Sequence, residues 1–293
     1  MLIYFLYRLA QWLACSLPIS VGYRVAVFIT GLKFSFTKKE RVFVNNNLKT
    51  ILGADDPRIP QYTRELYNNF GKYLNDFFRS SKLDKKFIDR FVRIENLRYM
   101  DEALSKGKGV IGLTAHLGNW ELTASILAVL GYKMNAIALT HKNKQIDRIF
   151  DHQRKVTGMN VIHLGISVRQ CFAALKRNEI VGILGDRDFS GENGVLMDFF
   201  GKKMLIPRGP AVLSLKTKAA IVPAFVVRET QDDRCFRYIF EKPIYPQNSG
   251  NDEEDILRMT EKFTRIIEKY VKQYPQQWFI FHEFWNPSKV EII

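Results

Sequence analysis

His116 and Glu121 stand five positions apart in the stretch His116-Leu117-Gly118-Asn119-Trp120-Glu121. The stretch follows a short apolar run of strand length, Gly109 to Ala115, and precedes Glu121 to Leu130, whose apolar residues recur at helical spacing. The turn between strand and helix therefore falls between Ala115 and Trp120. Asn119 is placed to cap the helix, and Glu121 then lies in its first turn, within reach of His116. An imidazole with an orienting carboxylate can act as a general base. A hydrogen-bonded packing histidine at a strand end is the plainer reading of the same residues.

A metal site is the obvious rival for a His/Glu pair, but helical zinc motifs set two ligands one turn apart on one face. The remaining histidines, His141, His152, His163 and His282, show no ligand spacing, so no metal is expected. No serine or cysteine is placed to be a nucleophile beside His116. The three cysteines, Cys15, Cys171 and Cys235, have wide, motif-free spacing and read as reduced packing residues.

A second polar constellation, Asp186-Arg187-Asp188, follows another apolar run, Ile180 to Leu184. Ligands of open α/β sheets gather beyond the carboxyl ends of the strands, so this constellation and His116 are expected on one edge of a sheet. Arg187 suits an oxyanion or a phosphate, with Asp186 and Asp188 holding it, while a structural ion pair is the alternative. Arg208, at the start of a helix after Pro207, could bind phosphate or close a loop.

The elements that must position these groups alternate after Asp101. Lys133 to Leu139 and Val161 to His163 read as strands, Gln145 to Thr157 and Val168 to Lys176 as helices. Val195 to Phe200 is a further extended piece, followed by a helix from Gly209 to Lys216. Ile221 to Val227 and Phe236 to Glu241 read as late strands that pair, and Glu253 to Tyr274 as a long terminal helix. The expected fold class is α/β, a single domain with a mainly parallel central sheet covered by helices. Before it, Lys38 to Leu52 and Tyr62 to Ser80 read as helices, the second with an aromatic stripe that is either core or the lining of an acyl channel.

Residues Leu2 to Phe36 are rich in aliphatic and aromatic side chains, but Arg8, Gln11, Pro18, Ser20 and Arg24 interrupt them before roughly 20 uninterrupted apolar residues accumulate. Two short helices hinged near Pro18, lying in or partly entering a bilayer, fit this mixture, and a helical hairpin packed on the domain is the alternative. The division is thus residues 1–36, a membrane-associated helical segment, and residues 37–293. Among 293 residues, 44 Lys and Arg against 30 Asp and Glu leave a net charge of +14, which favours anionic partners. The basic residues are dispersed and no zinc-finger or ribonucleoprotein motif is present, so a membrane surface is expected and nucleic acid is not.

The combination resembles the late acyltransferases of lipid A biosynthesis, within the wider glycerophosphate and lysophospholipid acyltransferase superfamily that carries a His-x4-Asp/Glu motif. The resemblance rests on Ala115 to Glu121, Gly185-Asp186-Arg187-Asp188, Phe199-Phe200-Gly201, Pro207-Arg208-Gly209-Pro210-Ala211 and Gln277 to His282, which in order and spacing span most of the chain. Where the family often follows its final histidine with arginines, this chain has Glu283-Phe284-Trp285, a departure that bears on the acceptor. The resemblance implies an O-acyltransferase at the cytoplasmic face of the inner membrane, held there by its N-terminus. It implies a fatty acyl thioester of acyl carrier protein or coenzyme A as co-substrate, no other cofactor, and a hydroxyl of a lipid A precursor as acceptor. Another glycolipid, lysophospholipid or amino lipid is the alternative acceptor. His116 is then the general base and Glu121 its orienting acid, with no acyl-enzyme; Arg187, Asp186, Asp188, Asn119 and Arg208 serve substrate or oxyanion. The non-enzymatic alternative is a peripheral protein that binds acidic lipid through its basic, aromatic N-terminus.

Overall fold

The computed structural model describes residues 2–138, 140, 143–163, 167–187 and 194–285. Seven strands make one sheet in the order β1-β9-β8-β2-β5-β3-β4. They are β1 (Val92–Glu95), β2 (Val110–Thr114), β3 (Met134–Ala138), β4 (Asn160–His163), β5 (Ile180–Leu184), β8 (Ala220–Arg228) and β9 (Phe236–Phe240). Every neighbouring pair is parallel except β8 and β9. A parallel sheet buries both faces, which is why its strands read as near-continuous apolar runs. All nine residues of β8 are buried.

One face packs on α9 (Ser167–Lys176), α10 (Gly209–Thr217) and α11 (Asp252–Gln273), through a core that includes Ile111, Leu113, Cys171, Val181, Phe225 and Phe263. The other packs on α6 (Arg98–Ser105) and α7 (Trp120–Val129), through Met100, Leu122, Ile126, Val222 and Tyr238. The expected α/β class and parallel sheet are therefore present. The extended piece near residue 195 is β6 (Gly194–Phe199), but it pairs with β7 (Lys202–Pro207) in a separate hairpin rather than joining the sheet. The edge strand β1 and the helix before it, α5 (Lys85–Phe91), carry too many charges to stand out as elements by their apolar pattern.

Four helices precede this unit: α1 (Leu2–Ser16), α2 (Ile19–Phe36), α3 (Lys38–Leu52) and α4 (Ile59–Phe78). Pro18 separates the first two, as expected. Helix α4 is the plate on which the others lie. Its aromatic stripe is core: Leu66, Tyr67 and Tyr73 pack with Val44, Leu48 and Phe279. Tyr73 also reaches the cavity described below. Helices α1 and α2 rest on α4 by one face through Ala14 and Tyr23, and present Phe5, Trp12, Phe28 and Phe36 on the other, 59%, 63%, 67% and 83% exposed. Helix α2 is the one described helix long and apolar enough to cross a membrane. Helix α8 (Lys144–Lys155) closes the remaining side of the sheet edge, with Ile149 against Phe77 and Phe78.

Candidate active site

Parallel pairing of β2 with β5 sets Thr114 opposite Leu184. Two residues beyond that pair, on adjacent strands, come His116 and Asp186. The ring Nδ1 of His116 lies 2.9 Å from Asp186 Oδ1, and the His116 backbone N–H donates to Asp186 Oδ2 at 2.9 Å. The indole N–H of Trp278 donates to the same Oδ2 at 3.0 Å. Asp186 is fully buried. Burial alone would raise its carboxyl, but the His116 charge, the ring and backbone hydrogen bonds of His116 and the Trp278 indole together hold it below the usual carboxylate range. A carboxylate so fixed accepts from Nδ1–H and leaves Nε2 as the nitrogen suited to take a proton.

The turn that carries His116 is clamped on both sides. Gly118 N–H donates to Gln277 O and Asn119 N–H to Val226 O, each at 2.8 Å, while Phe279 N–H donates to His116 O at 2.9 Å. Gly118 has φ +61°, and a Cβ there would stand 2.0 Å from the Val226 carbonyl oxygen, so this position demands glycine. Asn119 caps α7 as expected, its Oδ1 accepting from Leu122 N–H at 3.1 Å. Its amide donates to Asp76 Oδ2 at 3.3 Å. Asp76 in turn accepts from Tyr23 at 2.6 Å and pairs with Arg228, so one buried network joins α2, α4, β8 and the His116 turn. Burial raises the Asp76 carboxyl, against the opposing pull of Arg228, Tyr23 and Asn119.

Two expected roles are corrected by this geometry. Glu121 does not orient His116: its two oxygens accept from Arg154 of α8 at 2.7 and 3.1 Å, in a partly buried bidentate pair, and among the described residues no hydrogen bond joins it to His116. The carboxylate hydrogen-bonded to the His116 ring is Asp186, expected from the sequence to hold Arg187. Asn119 is 2% exposed, spends its side chain on the cap and on Asp76, and is not among the residues that line the cavity. Asp188 lies outside the described residues.

His116, Glu121, Arg154, Arg187 and Arg208 all face one cavity of about 1050 Å³, together with Trp120, Tyr73 and a largely aliphatic lining. Burial depresses the half-buried Arg187 guanidinium, with the nearby Asp186 charge opposing that shift. Arg208, at the start of α10, is ion-paired with Glu253 at 2.6 Å and makes no side-chain cap. A second histidine, His282, stands within electrostatic reach: burial pushes it down to about 4, the charges of Arg187 and His116 push the same way, and Asp186 opposes them. Trp278 and His282 stand in a recognisable motif whose residue types do not by themselves give a role, and Arg154 carries no signal in the sequence beyond its place in a helix. Beside the cavity-lining residues of α8, Asp147, Asp151 and His163 bring ligand atoms within 4.8 Å of one another, with His163 Nε2 hydrogen-bonded to Asp151 at 3.1 Å.

The chain is similar over most of its length to known acyltransferases. A phosphatidylinositol mannoside acyltransferase of Mycobacterium tuberculosis (strain H37Rv) is 24% identical over 283 residues, 94% of this chain and 86% of that protein. A lipid A biosynthesis acyltransferase of Haemophilus influenzae is 25% identical over 198 residues, 66% of this chain and 59% of its own length. A lipid A biosynthesis lauroyltransferase of Escherichia coli (strain K12) is 21% identical over 279 residues, 92% of this chain and 87% of its own. The profile described as bacterial lipid A biosynthesis acyltransferase matches residues 1–286, and the chain belongs to that family.

Proposed function

We propose that this acyltransferase moves a fatty acyl chain from a thioester directly to a hydroxyl of a membrane glycolipid, with His116 as general base and Asp186 as its orienting acid. The observation that carries the reading is the buried Asp186 bonded to His116 Nδ1 while the ring borders an apolar cavity. The acceptor hydroxyl gives its proton to Nε2 as its oxygen attacks the thioester carbonyl. The carbonyl pair moves onto oxygen, where Arg187 is the candidate to stabilise it. Collapse of that intermediate breaks the C–S bond, and the departing thiolate takes the proton back from the imidazolium. Asp186 stabilises the imidazolium between the two transfers without itself becoming protonated. Base catalysis of this kind contributes on the order of 10²–10⁴ in rate.

Acyl carrier protein or coenzyme A carries the donor, and a lipid A precursor is the acceptor in our first reading. The relatives that act on phosphatidylinositol mannosides favour a second, in which the sugar belongs to a different anionic glycolipid. The apolar outer faces of α1 and α2 support a site at a membrane surface; its place on the cytoplasmic side of the inner membrane rests on the family resemblance alone. Purified protein incubated with acyl carrier protein and coenzyme A thioesters, each against a lipid A precursor and a phosphatidylinositol mannoside, separates these readings by the mass of the product. Transfer only to a non-glycolipid acceptor overturns both.

A further inference from the structure

Thr114 is the last residue of β2, two positions before His116, and both residues line the cavity together with Gly112. Strand alternation puts positions 112, 114 and 116 on one face of the sheet, with successive side chains about 6–7 Å apart. Across the β2–β5 ladder Gly112 pairs with Gly182 and Thr114 with Leu184, and both partners line the same cavity. The cavity wall therefore continues past Thr114 on either side along its strand and across to the next one.

The Thr114 hydroxyl is unspent. The residue is 8% exposed, and its Oγ1 is buried and finds no hydrogen-bond partner among the described residues. Two other hydroxyls in the same wall are committed: Thr123 Oγ1 donates to Asn119 O at 3.3 Å, and the Tyr238 hydroxyl donates to Thr123 O at 2.8 Å. A buried hydroxyl without a partner is costly, and valine would fill a strand position of this kind without that cost. A donor closed off from protein acceptors, in the wall of a cavity and beside the base, has its partner in what the cavity admits. Its hydrogen turns about the Cβ–Oγ1 bond to meet that partner.

The surroundings select the partner. Glu121 and Arg187 lie beyond the ends of β2 and β5, whereas Thr114 lies within β2 among the wall residues Gly112, Leu184 and Ala224. A sugar hydroxyl placed there brings a donor of its own that these apolar neighbours leave unmet. A thioester carbonyl oxygen only accepts, and it matches a neutral donor in an apolar wall.

From this geometry, and resting on the acyl transfer proposed above, we propose that Thr114 is a catalytic residue whose hydroxyl donates to the thioester carbonyl oxygen. The bond strengthens as that oxygen gains charge during attack by the acceptor, and it weakens again when the C–S bond breaks. The proton stays on Oγ1 throughout, so Thr114 complements His116, which moves a proton, and Arg187, which brings a charge. An interaction that grows with the oxyanion acts on kcat and leaves KM nearly unchanged.

Two measurements test this. Thr114→Val keeps the shape and removes the donor. Its kcat for transfer to a glycolipid is expected to fall at least about tenfold, with both KM values nearly unchanged and thermal unfolding no lower than in the wild type. Thr114→Ser keeps the donor, and its kcat is expected to stand at least about tenfold above that of Thr114→Val. A Thr114→Val kcat within about tenfold of the wild type, equal values for the two variants, or a Thr114→Val protein that no longer folds overturns the inference. The second measurement needs no turnover: infrared spectra of acyl coenzyme A and acyl carrier protein thioesters, isotope-labelled at the carbonyl, bound to the wild type and to Thr114→Val. The carbonyl stretch is expected at lower frequency on the wild type, and equal frequencies on the two proteins overturn the inference. Absence of transfer by the wild type to any acceptor, with that difference in frequency intact, is a failure of the proposed reaction alone.

Discussion

Replacing Asp186 by Asn tests the relation between His116 and its carboxylate with almost no change of shape. Asp186 accepts three hydrogen bonds, two on Oδ2 from the His116 backbone and Trp278, and one on Oδ1 from the ring. Asparagine keeps one oxygen. Turning its NH₂ toward the backbone N–H and the indole would leave two buried donors unmet, at about 1–3 kcal/mol each. The amide therefore keeps its oxygen on those two and points NH₂ at Nδ1. The ring must then accept at Nδ1 and carry its proton on Nε2, the nitrogen required to receive the acceptor's proton. A wrong tautomer of this kind costs on the order of 10³–10⁴ in kcat, or about 4–5.5 kcal/mol of barrier at 1.36 kcal/mol per decade. The assay is steady-state thiol release from the acyl donor in the presence of a glycolipid acceptor, alongside thermal unfolding by circular dichroism to establish that the variant folds. A folded Asp186→Asn protein with kcat within about tenfold of the wild type refutes the assignment.

Other expectations follow from separate parts of the structure. Glu121→Ala and Arg154→Ala should each destabilise the protein, and the double variant should be less unstable than the two losses summed, by at least about 1 kcal/mol in a double-mutant cycle, because each single change strands a partly buried charge. Gly118→Ala should lower stability in urea by more than about 3 kcal/mol, since a positive φ and a contact with a backbone carbonyl oxygen act together. His282 has a folded value, about 4, below its ordinary 6.5, so the unfolded chain binds the extra proton between those values. The stability it contributes is complete above pH 6.5 and is lost as pH falls toward 4, and His282→Phe should flatten that part of a pH–stability curve. Changing Trp12, Phe28 and Phe36 together to Ser should reduce partition into anionic vesicles by about tenfold or more, given roughly 1.5–3 kcal/mol for each large apolar side chain buried, with little change in the melting temperature.

Much of this arrangement was legible in the chain. Strand-length apolar runs separated by amphipathic helices specify a doubly covered parallel sheet, and β5 falls at the residues its pattern marks, Ile180 to Leu184. The turn from Ala115 to Trp120 was also readable, because Asn119 is a cap residue and Gly118 permits the left-handed backbone the turn uses. The partner of His116 was not. Nearness in sequence pointed to Glu121, but that residue lies in the first turn of α7, where rotation about the helix axis carries it toward Arg154 on α8. Asp186 is distant in sequence and becomes the neighbour only through the β2–β5 register, which pattern reading does not give. The early end of the β3–β5 ladder, at Ala136 and Gly182, was hidden for the same reason, as it leaves the residues on either side unchanged in type. The Tyr23–Asp76–Arg228 network was equally hidden, since its members come from three separated elements.

Transfer catalysed by one imidazole without a covalent enzyme intermediate is most directly tested by intact-protein mass spectrometry combined with product analysis. Wild type given acyl thioester alone should gain no acyl mass, and with glycolipid present should release thiol and acylated lipid in equal amounts, while folded His116→Ala should form product at least about 100-fold more slowly. An acyl adduct that forms and discharges to the acceptor at the turnover rate, or wild-type turnover by His116→Ala, contradicts the account.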